Sequence, residues 1–372
     1  MKDIELIWRS PILDCSGYSA AARGYLKAAD ISGIKIRAYD RSRSLNLKNK
    51  GIDADILNIY KRLSETIVSS DCPAVQHQVP DQFFVDRNSK RPIGYSIFEM
   101  TEIPKSWVQP CNDIGEIWTG SEYSKKAFVN GGIKVPIFVL PHAIDIEAFL
   151  SAKPWTIKNK SSFTFLSIFD FTERKSWHEL LRAYWTAFDK HDDVCLILKV
   201  FYSDFSDQAR ADIIRRIIFY RNSLKFKYDR APILIYGYDV PNSDMFGLYK
   251  IADCYVGISR EGFGMSYAEA MAAGLACIGP EVGGTREFMT PENSFLVKYT
   301  GDEPISNEMA RLNPSFAGLS WATHSWENLV EVMRLVVSDN TLRKTRAAQG
   351  QADVAAQLNY REIGNKMINL LS

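Results

Sequence analysis

The sequence predicts an α/β protein built from two doubly wound domains. Apolar runs bounded by turn residues alternate with amphipathic stretches along the chain, and this alternation implies parallel strands joined by crossover helices. The chain has 372 residues, of which 46% are hydrophobic, and this length favours two cores over one. The polar, basic and proline-containing stretch 151–162 divides the alternation into two series, as a linker does. We therefore expect domains at 1–150 and 151–358.

Short apolar runs in each series predict strands, and longer stretches with apolar residues three and four apart predict helices. The first series predicts strands near 3–9, 34–39, 74–79, 93–98, 116–120 and 136–141, with helices near 18–31, 53–67, 104–111 and 122–130. The second predicts strands near 163–169, 194–201, 232–237, 254–258, 276–279 and 295–298, with helices near 175–189, 206–226, 243–252, 265–274 and 324–338. The closing stretch 341–372 predicts helices, because its apolar residues share one helical face.

Composition excludes several classes of function. Lys plus Arg number 45 and Asp plus Glu number 44, and a chain so balanced gives no reason to expect a nucleic-acid partner. The six cysteines are dispersed without a CxxC pair, which disfavours zinc and suits a reducing compartment. No apolar run reaches the roughly 20 residues of a membrane span, and acids interrupt the first apolar stretch, unlike a signal peptide. We expect a cytoplasmic protein with peripheral membrane contact as an option.

The most informative segment of the second series is Glu261-Gly-Phe-Gly-Met-Ser-Tyr-Ala-Glu269-Ala-Met-Ala-Ala-Gly274. Apolar runs at 254–258 and 276–278 flank it, which predicts strand, glycine turn, helix and strand. Open α/β sheets bind ligands at the carboxyl ends of their strands, and a helix start suits a phosphate. Carboxylates on both sides of the turn suit hydroxyl groups, so a nucleotide sugar fits. The alternative is a capped helix with two solvated glutamates.

This segment resembles the E-x7-E signature of retaining glycosyltransferases with the GT-B fold, family 4 and its mannosyltransferase-like group in particular. The resemblance implies two Rossmann-like domains facing a central cleft, with the C-terminal helix 359–371 crossing back onto the first. The first domain would bind the acceptor and the second the donor. Glu261 would contact the donor sugar, and Glu269 would bind the ribose hydroxyls. The donor would also be lined by Phe263, Gly264 and Met265.

A second segment whose side chains could take part in binding or catalysis is 165–181. In it a predicted strand ends near Asp170 and a helix begins near Lys175. Two cations at a helix N-terminus oppose the helix dipole, so Arg174 and Lys175 indicate an anionic ligand. The resemblance implies that they neutralise the donor diphosphate; the alternative is a solvated basic loop. Many family members carry a further Arg where this chain has Phe169 or Asp170.

Two glycine turns are further candidates. Residues 279–287 follow a strand, and the resemblance places Gly284 and Thr285 close to the donor phosphates, although a plain turn explains the pattern as well. In the first series, Gly17 permits close backbone approach to a ligand. The resemblance implies that its loop faces the acceptor and the departing phosphate across the cleft, while helix capping by Ser16 to Ser19 is the alternative.

Glu99 occupies the position where many family members have a histidine near the sugar. A glutamate cannot donate a hydrogen bond unless it is protonated, so this departure puts the shared role in question. His77 is the other candidate, but a partly buried structural histidine explains it better. His142 is a candidate to reach the cleft, and a structural role at the hinge explains it equally well.

Two other patterns have ordinary explanations. Asp53-Ala-Asp55 matches a metal-binding DxD pattern, but acids are favourable at a helix start, and we expect no metal. Residues 210–230 mix basic and aromatic side chains, as helices on anionic lipid do; an ordinary domain helix with a solvated face is the alternative. No dinucleotide or P-loop fingerprint occurs.

Together these features predict a metal-independent retaining hexosyltransferase that needs no cofactor besides its donor. The resemblance favours GDP-mannose first and UDP-sugars second as donor, and a glycan or lipid-linked glycan as acceptor in polysaccharide or lipopolysaccharide assembly. Two alternatives stay open. One is a GT-B epimerase or phosphorylase, and the other is a non-catalytic homologue that binds nucleotide or glycan for a partner enzyme.

Overall fold

The structure is a computed structural model that describes residues 4–42, 52, 54–157, 161–202 and 205–372. Two parallel six-stranded sheets with helices packed on them form its architecture, in agreement with the predicted pair of doubly wound α/β units. Buried aliphatic and aromatic side chains surround both sheets, which is why most strands read as continuous apolar runs.

The first sheet pairs its strands in parallel throughout. The strands are β1 (Glu5–Ser10), β2 (Lys35–Asp40), β3 (Ala74–His77), β4 (Pro92–Tyr95), β5 (Glu116–Thr119) and β6 (Ile137–Val139), and the helices are α1 (Gly17–Ile31), α2 (Ala54–Glu65), α3 (Lys105–Asp113), α4 (Glu122–Asn130) and α5 (Ile146–Ser151). The order β2-β1-β3-β4-β5-β6 reverses its winding between β1 and β3. Loops that follow these strands therefore open at one edge of the sheet.

The second sheet repeats the arrangement with a reversal at β7 and β10. Its strands are β7 (Phe163–Asp170), β8 (Val194–Phe201), β9 (Ile233–Tyr236), β10 (Cys254–Val256), β11 (Ala276–Pro280) and β12 (Phe295–Val297), and its helices are α6 (Trp177–Ala187), α7 (Asp207–Ser223), α8 (Asn242–Tyr249) and α9 (Met265–Ala272). The order is β12-β11-β10-β7-β8-β9. Because β7 and β10 are neighbours, the loops that follow them lie side by side although about ninety residues separate them in the chain.

An antiparallel hairpin that the periodicity did not predict follows the second sheet. It consists of β13 (Tyr299–Pro304) and β14 (Ser320–His324), with α10 (Asn307–Leu312) between them. The hairpin contacts the first half of the chain, since the Thr101 N–H donates to Ser320 O at 2.9 Å and the Phe316 and Phe98 rings lie 5.5 Å apart. β13 is mostly exposed and polar, so it lacks the apolar run by which strands are recognised.

Three helices close the chain, and the last of them packs on the first unit. They are α11 (Trp326–Ser338), α12 (Asn340–Gln357) and α13 (Tyr360–Leu371). Gly364 brings α13 so close to α1 that a Cβ there would lie 2.6 Å from Ala28 O. Ile363 and Met367 are fully buried at this contact, in agreement with the apolar face expected of the closing helix.

Two sequence features concern metal and membrane. Asp53 lies outside the described residues, while Asp55 lies in the first turn of α2. Among the residues that the structure describes, no cluster of three or more His, Cys, Asp or Glu could hold a metal ion. In the same part of the chain, no helix has both the length and the apolar character needed to cross a bilayer.

Candidate active site

Two glycine turns pack back to back at the carboxyl edge of the second sheet. Gly264 has a φ of 92° and precedes α9, so the chain can turn sharply from Glu261 into the helix. Gly284 donates its N–H to the carbonyl oxygen of Glu261 at 2.7 Å. A Cβ at position 284 would lie 2.1 Å from Gly262 O, so the two turns meet without room for a side chain.

The side chains in these turns divide into enclosed and open positions. Phe263 is buried between the rings of His142, at 4.5 Å, and Phe288, so only its backbone is available to a ligand. Thr285 is buried beside Gly264, and its hydroxyl has no hydrogen-bond partner among the described residues. Met265, in contrast, lines an open cavity.

The end of β7, the loops after β7 and β10, and Glu99 from the segment after β4 together form a cluster of five charged side chains, which we call the charge cluster. Lys175 Nζ lies 2.7 Å from Glu261 Oε1, and Arg174 Nη1 lies 3.1 Å from Glu261 Oε2. Arg174 Nε also contacts Glu99 Oε1 at 3.2 Å, which joins the two halves of the chain. Asp170 accepts weaker contacts from both cations, at 3.4 and 3.6 Å. Three carboxylates thus surround two cations.

Arg174 and Lys175 do not lie at the N-terminus of α6, where the sequence predicted them. They lie in a single 3-10 turn, Glu173–Lys175, and α6 begins two residues later at Trp177. Ser176 separates the two elements with a left-handed φ of 51°. The cations therefore do not oppose the dipole of α6 from within its first turn. Carboxylates from neighbouring loops hold them instead.

Burial and charge shift the pKa values within the cluster in different directions. Burial works to raise the pKa of Glu261, but Lys175 and Arg174 outweigh it and lower the pKa overall. For Glu99, burial prevails over the attraction of Arg174, so its pKa is raised. Burial opposes the charge of Arg174, yet Glu99 and Glu261 raise its pKa. Glu261 is thus held as a carboxylate, while the protonated form of Glu99 is made more accessible.

Arg260, a residue that sequence reasoning missed, holds the turn from behind. Its Nη1 donates to Ser176 Oγ at 2.8 Å, and its Nε donates to Ala322 O at 3.1 Å. The guanidinium also lies 4.4 Å from the ring centroid of Trp321 in β14. The hairpin therefore contacts the residue next to Glu261. No sequence signal marks Arg260 beyond its position before the glutamate.

Glu269 occupies a different environment from Glu261. It accepts a hydrogen bond from Tyr249 Oη at 2.6 Å, and burial, partly offset by this bond, raises its pKa to about 7. Glu269 and Met265 line a cavity of about 620 Å³ whose walls come from both halves of the chain. Other wall residues lie on α1, α2, α5 and α8. None of the five residues of the charge cluster lines this cavity.

Gly17 begins α1 and is exposed at the edge of the first sheet. Ser16 caps the helix by accepting from Ser19 N–H at 3.2 Å, so the capping role considered for this segment is present. A Cβ on Gly17 would meet nothing within 4 Å, and its φ is not left-handed, so the backbone does not require glycine here. Tyr18 reaches Ser96 Oγ at 3.0 Å, which brings the start of α1 beside the segment that carries Glu99.

Both candidate histidines are enclosed by aromatic side chains. His142 Nδ1 lies 2.9 Å from Tyr25 Oη and 3.3 Å from Tyr95 Oη, and burial lowers its pKa to about 3. His77 packs 4.5 Å from the Tyr95 ring, and burial lowers its pKa well below the ordinary range. Both are neutral and buried, as structural histidines are. His142 supports the turn at Phe263 from the first half of the chain.

Hydrogen bonds between the two halves of the chain join the glycine turns to α4. Ser121 Oγ, at the start of α4, donates to Gly262 O at 2.5 Å, and Ser124 Oγ contacts the same oxygen at 3.2 Å. The N–H of Glu122 donates to Glu287 Oε1 at 2.6 Å. The two halves are therefore in contact at the predicted site.

Comparisons with known proteins agree with this architecture. The family described as "Glycosyl transferases group 1" matches residues 188–313. Among solved structures, Anabaena HepE in complex with UDP and glucose has a TM-score of 0.67 at 13% identity, covering 99% of each chain. Escherichia coli trehalose-6-phosphate synthase bound to UDP-2-fluoro glucose has a TM-score of 0.67 at 13% identity, covering 99% of this chain and 98% of that one. No curated protein sequence matches the chain.

A glycosyltransferase from Rickettsia africae is similar at a TM-score of 0.65 and 16% identity, over 100% of this chain and 98% of its own. At these identities the structural likeness shows the fold, which is GT-B, as predicted from the sequence. The family match, which covers β8 to β12 of the second sheet but not β7, supports a glycosyltransferase.

Proposed function

We propose that the protein is a retaining glycosyltransferase that moves a hexose from a nucleoside diphosphate sugar to a hydroxyl of a glycan or lipid-linked glycan. The charge cluster is the observation that carries this proposal. It places two cations and a carboxylate beside two glycine turns at the carboxyl edge of the second sheet, where open α/β folds bind their ligands.

Arg174 and Lys175 stabilise the leaving diphosphate in the proposed reaction. Cleavage of the bond between sugar and phosphate develops negative charge on the phosphate oxygens, and fixed cations act most strongly where charge develops. Both cations are engaged with Glu261 at 2.7 and 3.1 Å. A bound diphosphate therefore competes with this carboxylate, and Glu261 is released to accept hydrogen bonds from sugar hydroxyls.

Glu99 takes the place of the histidine found in many similar enzymes. Glu99 Oε1 lies 3.2 Å from Arg174 Nε, so its carboxylate positions this cation and can accept a hydrogen bond from a sugar hydroxyl. Among the residues that the structure describes, no side chain beside Glu261 stands out as a covalent nucleophile. Retention then follows if the departing phosphate oxygen takes the acceptor proton on the same face of the sugar.

The nucleoside occupies the cavity beside Glu269 in this proposal. A volume of about 620 Å³ is within the range of ligand pockets, and the Glu269 carboxylate can accept from both ribose hydroxyls. HepE and the trehalose-6-phosphate synthase were solved with UDP compounds, which favours a UDP-sugar over our first expectation, GDP-mannose. The loop at Gly17, which is not in the cavity wall, faces the acceptor in this proposal. The reaction belongs to polysaccharide assembly at the cytoplasmic face of a membrane, without a metal ion.

Binding and product analysis test the proposal. A ligand that binds only the folded protein raises its melting temperature, so UDP, GDP and their common sugars are compared by thermal shift with Glu269→Gln as the matched variant. A selective shift that Glu269→Gln reduces is expected. No shift with any nucleotide would overturn the donor site.

Proton NMR of the transferred sugar then decides the reaction. Formation of a new glycosidic bond with the donor's anomeric configuration is expected. A product of free sugar or an epimerised nucleotide would identify the epimerase or phosphorylase alternative, and nucleotide binding without any product would identify the non-catalytic one.

A further inference from the structure

An exposed apolar patch lies on α7 and the loop after it. Ile218 is 53% exposed and Phe219 is 79% exposed, while Ile214 lies one helical turn before Ile218. Tyr228, in the loop that follows the helix, is 64% exposed. We call these four residues the α7 patch. Ile214, Ile218 and Phe219 are exposed on a single helix, and exposed apolar side chains that occur together mark interaction sites.

The opposite face of α7 already supplies its contribution to the core. Ala209, Ile213 and Ile217 are buried, and the Tyr220 ring packs 5.6 Å from that of Trp177 in α6. The α7 patch therefore does not hold the helix on the sheet. Its exposed apolar area stays in contact with water, which is unfavourable.

Basic side chains outnumber acidic ones in the stretch of chain that carries the patch. Residues 205–230 contain seven Lys or Arg and three Asp or Glu. Arg215 pairs with Asp212, but Arg221, Lys225 and Lys227 are exposed and form no salt bridge with any described residue. The surface thus combines apolar side chains with unneutralised positive charge.

We propose that the α7 patch binds the interface of an anionic lipid bilayer. Phe219, Ile218 and Ile214 enter the boundary between headgroups and acyl chains, and Lys225 and Lys227 meet lipid phosphates. Interfacial helices bind through these two contributions together. The lysines favour a bilayer over a protein partner, because lysine is depleted from protein interfaces and attracted to anionic membranes.

The α7 patch shares no residue with the charge cluster or the cavity, so this inference does not depend on the proposed reaction. If the reaction is also correct, the patch places the enzyme on the surface where lipid-linked acceptors lie. Changes in the patch should therefore alter membrane binding and leave nucleotide binding unchanged.

Vesicle sedimentation of the full chain tests the proposal. The protein is mixed with vesicles of phosphatidylcholine alone or with added phosphatidylglycerol, at low and at moderate salt. Sedimentation with the anionic vesicles, weakened by salt, is expected. Lys225→Gln and Lys227→Gln should each lower the partition coefficient about fivefold, the usual contribution of one basic residue at an anionic surface. Absence of binding at low salt would overturn the proposal.

The double substitution Ile218→Ser with Phe219→Ser tests the apolar contribution. It should abolish most vesicle binding while the melting temperature and its rise with nucleotide stay unchanged, because both side chains are exposed. Leu312→Ser is the matched control, since Leu312 is 76% exposed on α10. Equal loss in the control, or vesicle binding unchanged in the double variant, would contradict the assignment.

Sedimentation velocity separates a bilayer from a second copy of the chain. A monomer that binds anionic vesicles agrees with the proposal. Self-association that the double variant removes, without vesicle binding by the wild type, would assign the patch to a protein interface instead.

Discussion

Gly284 tests how closely the two glycine turns of the site must pack. A Cβ at this position would lie 2.1 Å from Gly262 O, 2.2 Å from Gly262 C and 2.5 Å from Phe263 N. All three are backbone atoms, which cannot rotate away as the end of a flexible side chain can. Gly284→Ala must therefore push the two turns apart.

The cost of this separation has two parts. The hydrogen bond from Gly284 N–H to Glu261 O, at 2.7 Å, is lengthened or lost, and such a bond contributes about 1 kcal/mol. Overpacking a closed interior costs about 1–3 kcal/mol more. We expect the free energy of unfolding to fall by about 2–4 kcal/mol, which lowers the melting temperature by roughly 5–15 °C in a domain of this size.

Thermal denaturation measures the effect, and Gly17→Ala is the matched stability control. A Cβ on Gly17 would meet nothing within 4 Å, so that variant should change the free energy of unfolding by less than about 1 kcal/mol. Turnover should also fall in Gly284→Ala at temperatures where it is folded, because Glu261 moves with its turn. A variant at position 284 with wild-type stability and turnover would refute this account of the two turns.

Three further predictions concern charge. Lys175→Gln should lower kcat by about 10²–10³, the usual effect of removing one group that stabilises developing charge; Lys190→Gln, a change at an exposed pair, should leave kcat unchanged, and equal effects would count against the cluster. Because the folded-state pKa of Glu269 is about 7 against 4.5 for the free group, its contribution to stability is present below pH 4.5 and is lost as pH rises through 7. Chemical denaturation from pH 4.5 to 7 should therefore show the free energy of unfolding of the wild type falling as pH rises, and this fall should be absent from Glu269→Gln. The same pH dependence in the variant as in the wild type would contradict the shift in pKa. Arg260→Met should lower both stability and kcat, since it leaves Ala322 O without its donor; kcat equal to that of the wild type would show that Arg260 does not position the turn.

The spacing of residues within short segments predicted the strand, turn and helix of the candidate site. The strand, the turn at Gly264 and α9 lie where the pattern from 254 to 274 predicted them. Within so few residues the backbone has little freedom once the turn is formed, so the relation between Glu261 and Glu269 follows from the chain itself. The roles of these residues in binding a donor stay predictions.

Contacts between side chains that are distant in the chain could not be predicted from the sequence in this way. Glu99 was a candidate only through its position in a motif, and nothing local shows that its carboxylate reaches Arg174 at 3.2 Å. Tyr249, the hydrogen-bond partner of Glu269, precedes it by twenty residues and has no distinguishing pattern. The hairpin was missed because its polar first strand is exposed and pairs only with a strand that follows α10.

By itself, the sequence determined the α/β alternation, the two units and the local geometry of the turn between Glu261 and Glu269. These depend on periodicity and on glycine positions, which act over short stretches of chain. Only the tertiary structure decided that Arg174 and Lys175 pair with Glu261, because this contact requires β7 and β10 to be neighbours. It likewise decided which apolar residues of α7 are buried and which are exposed, since a helix shows its solvent face only after its other face has packed.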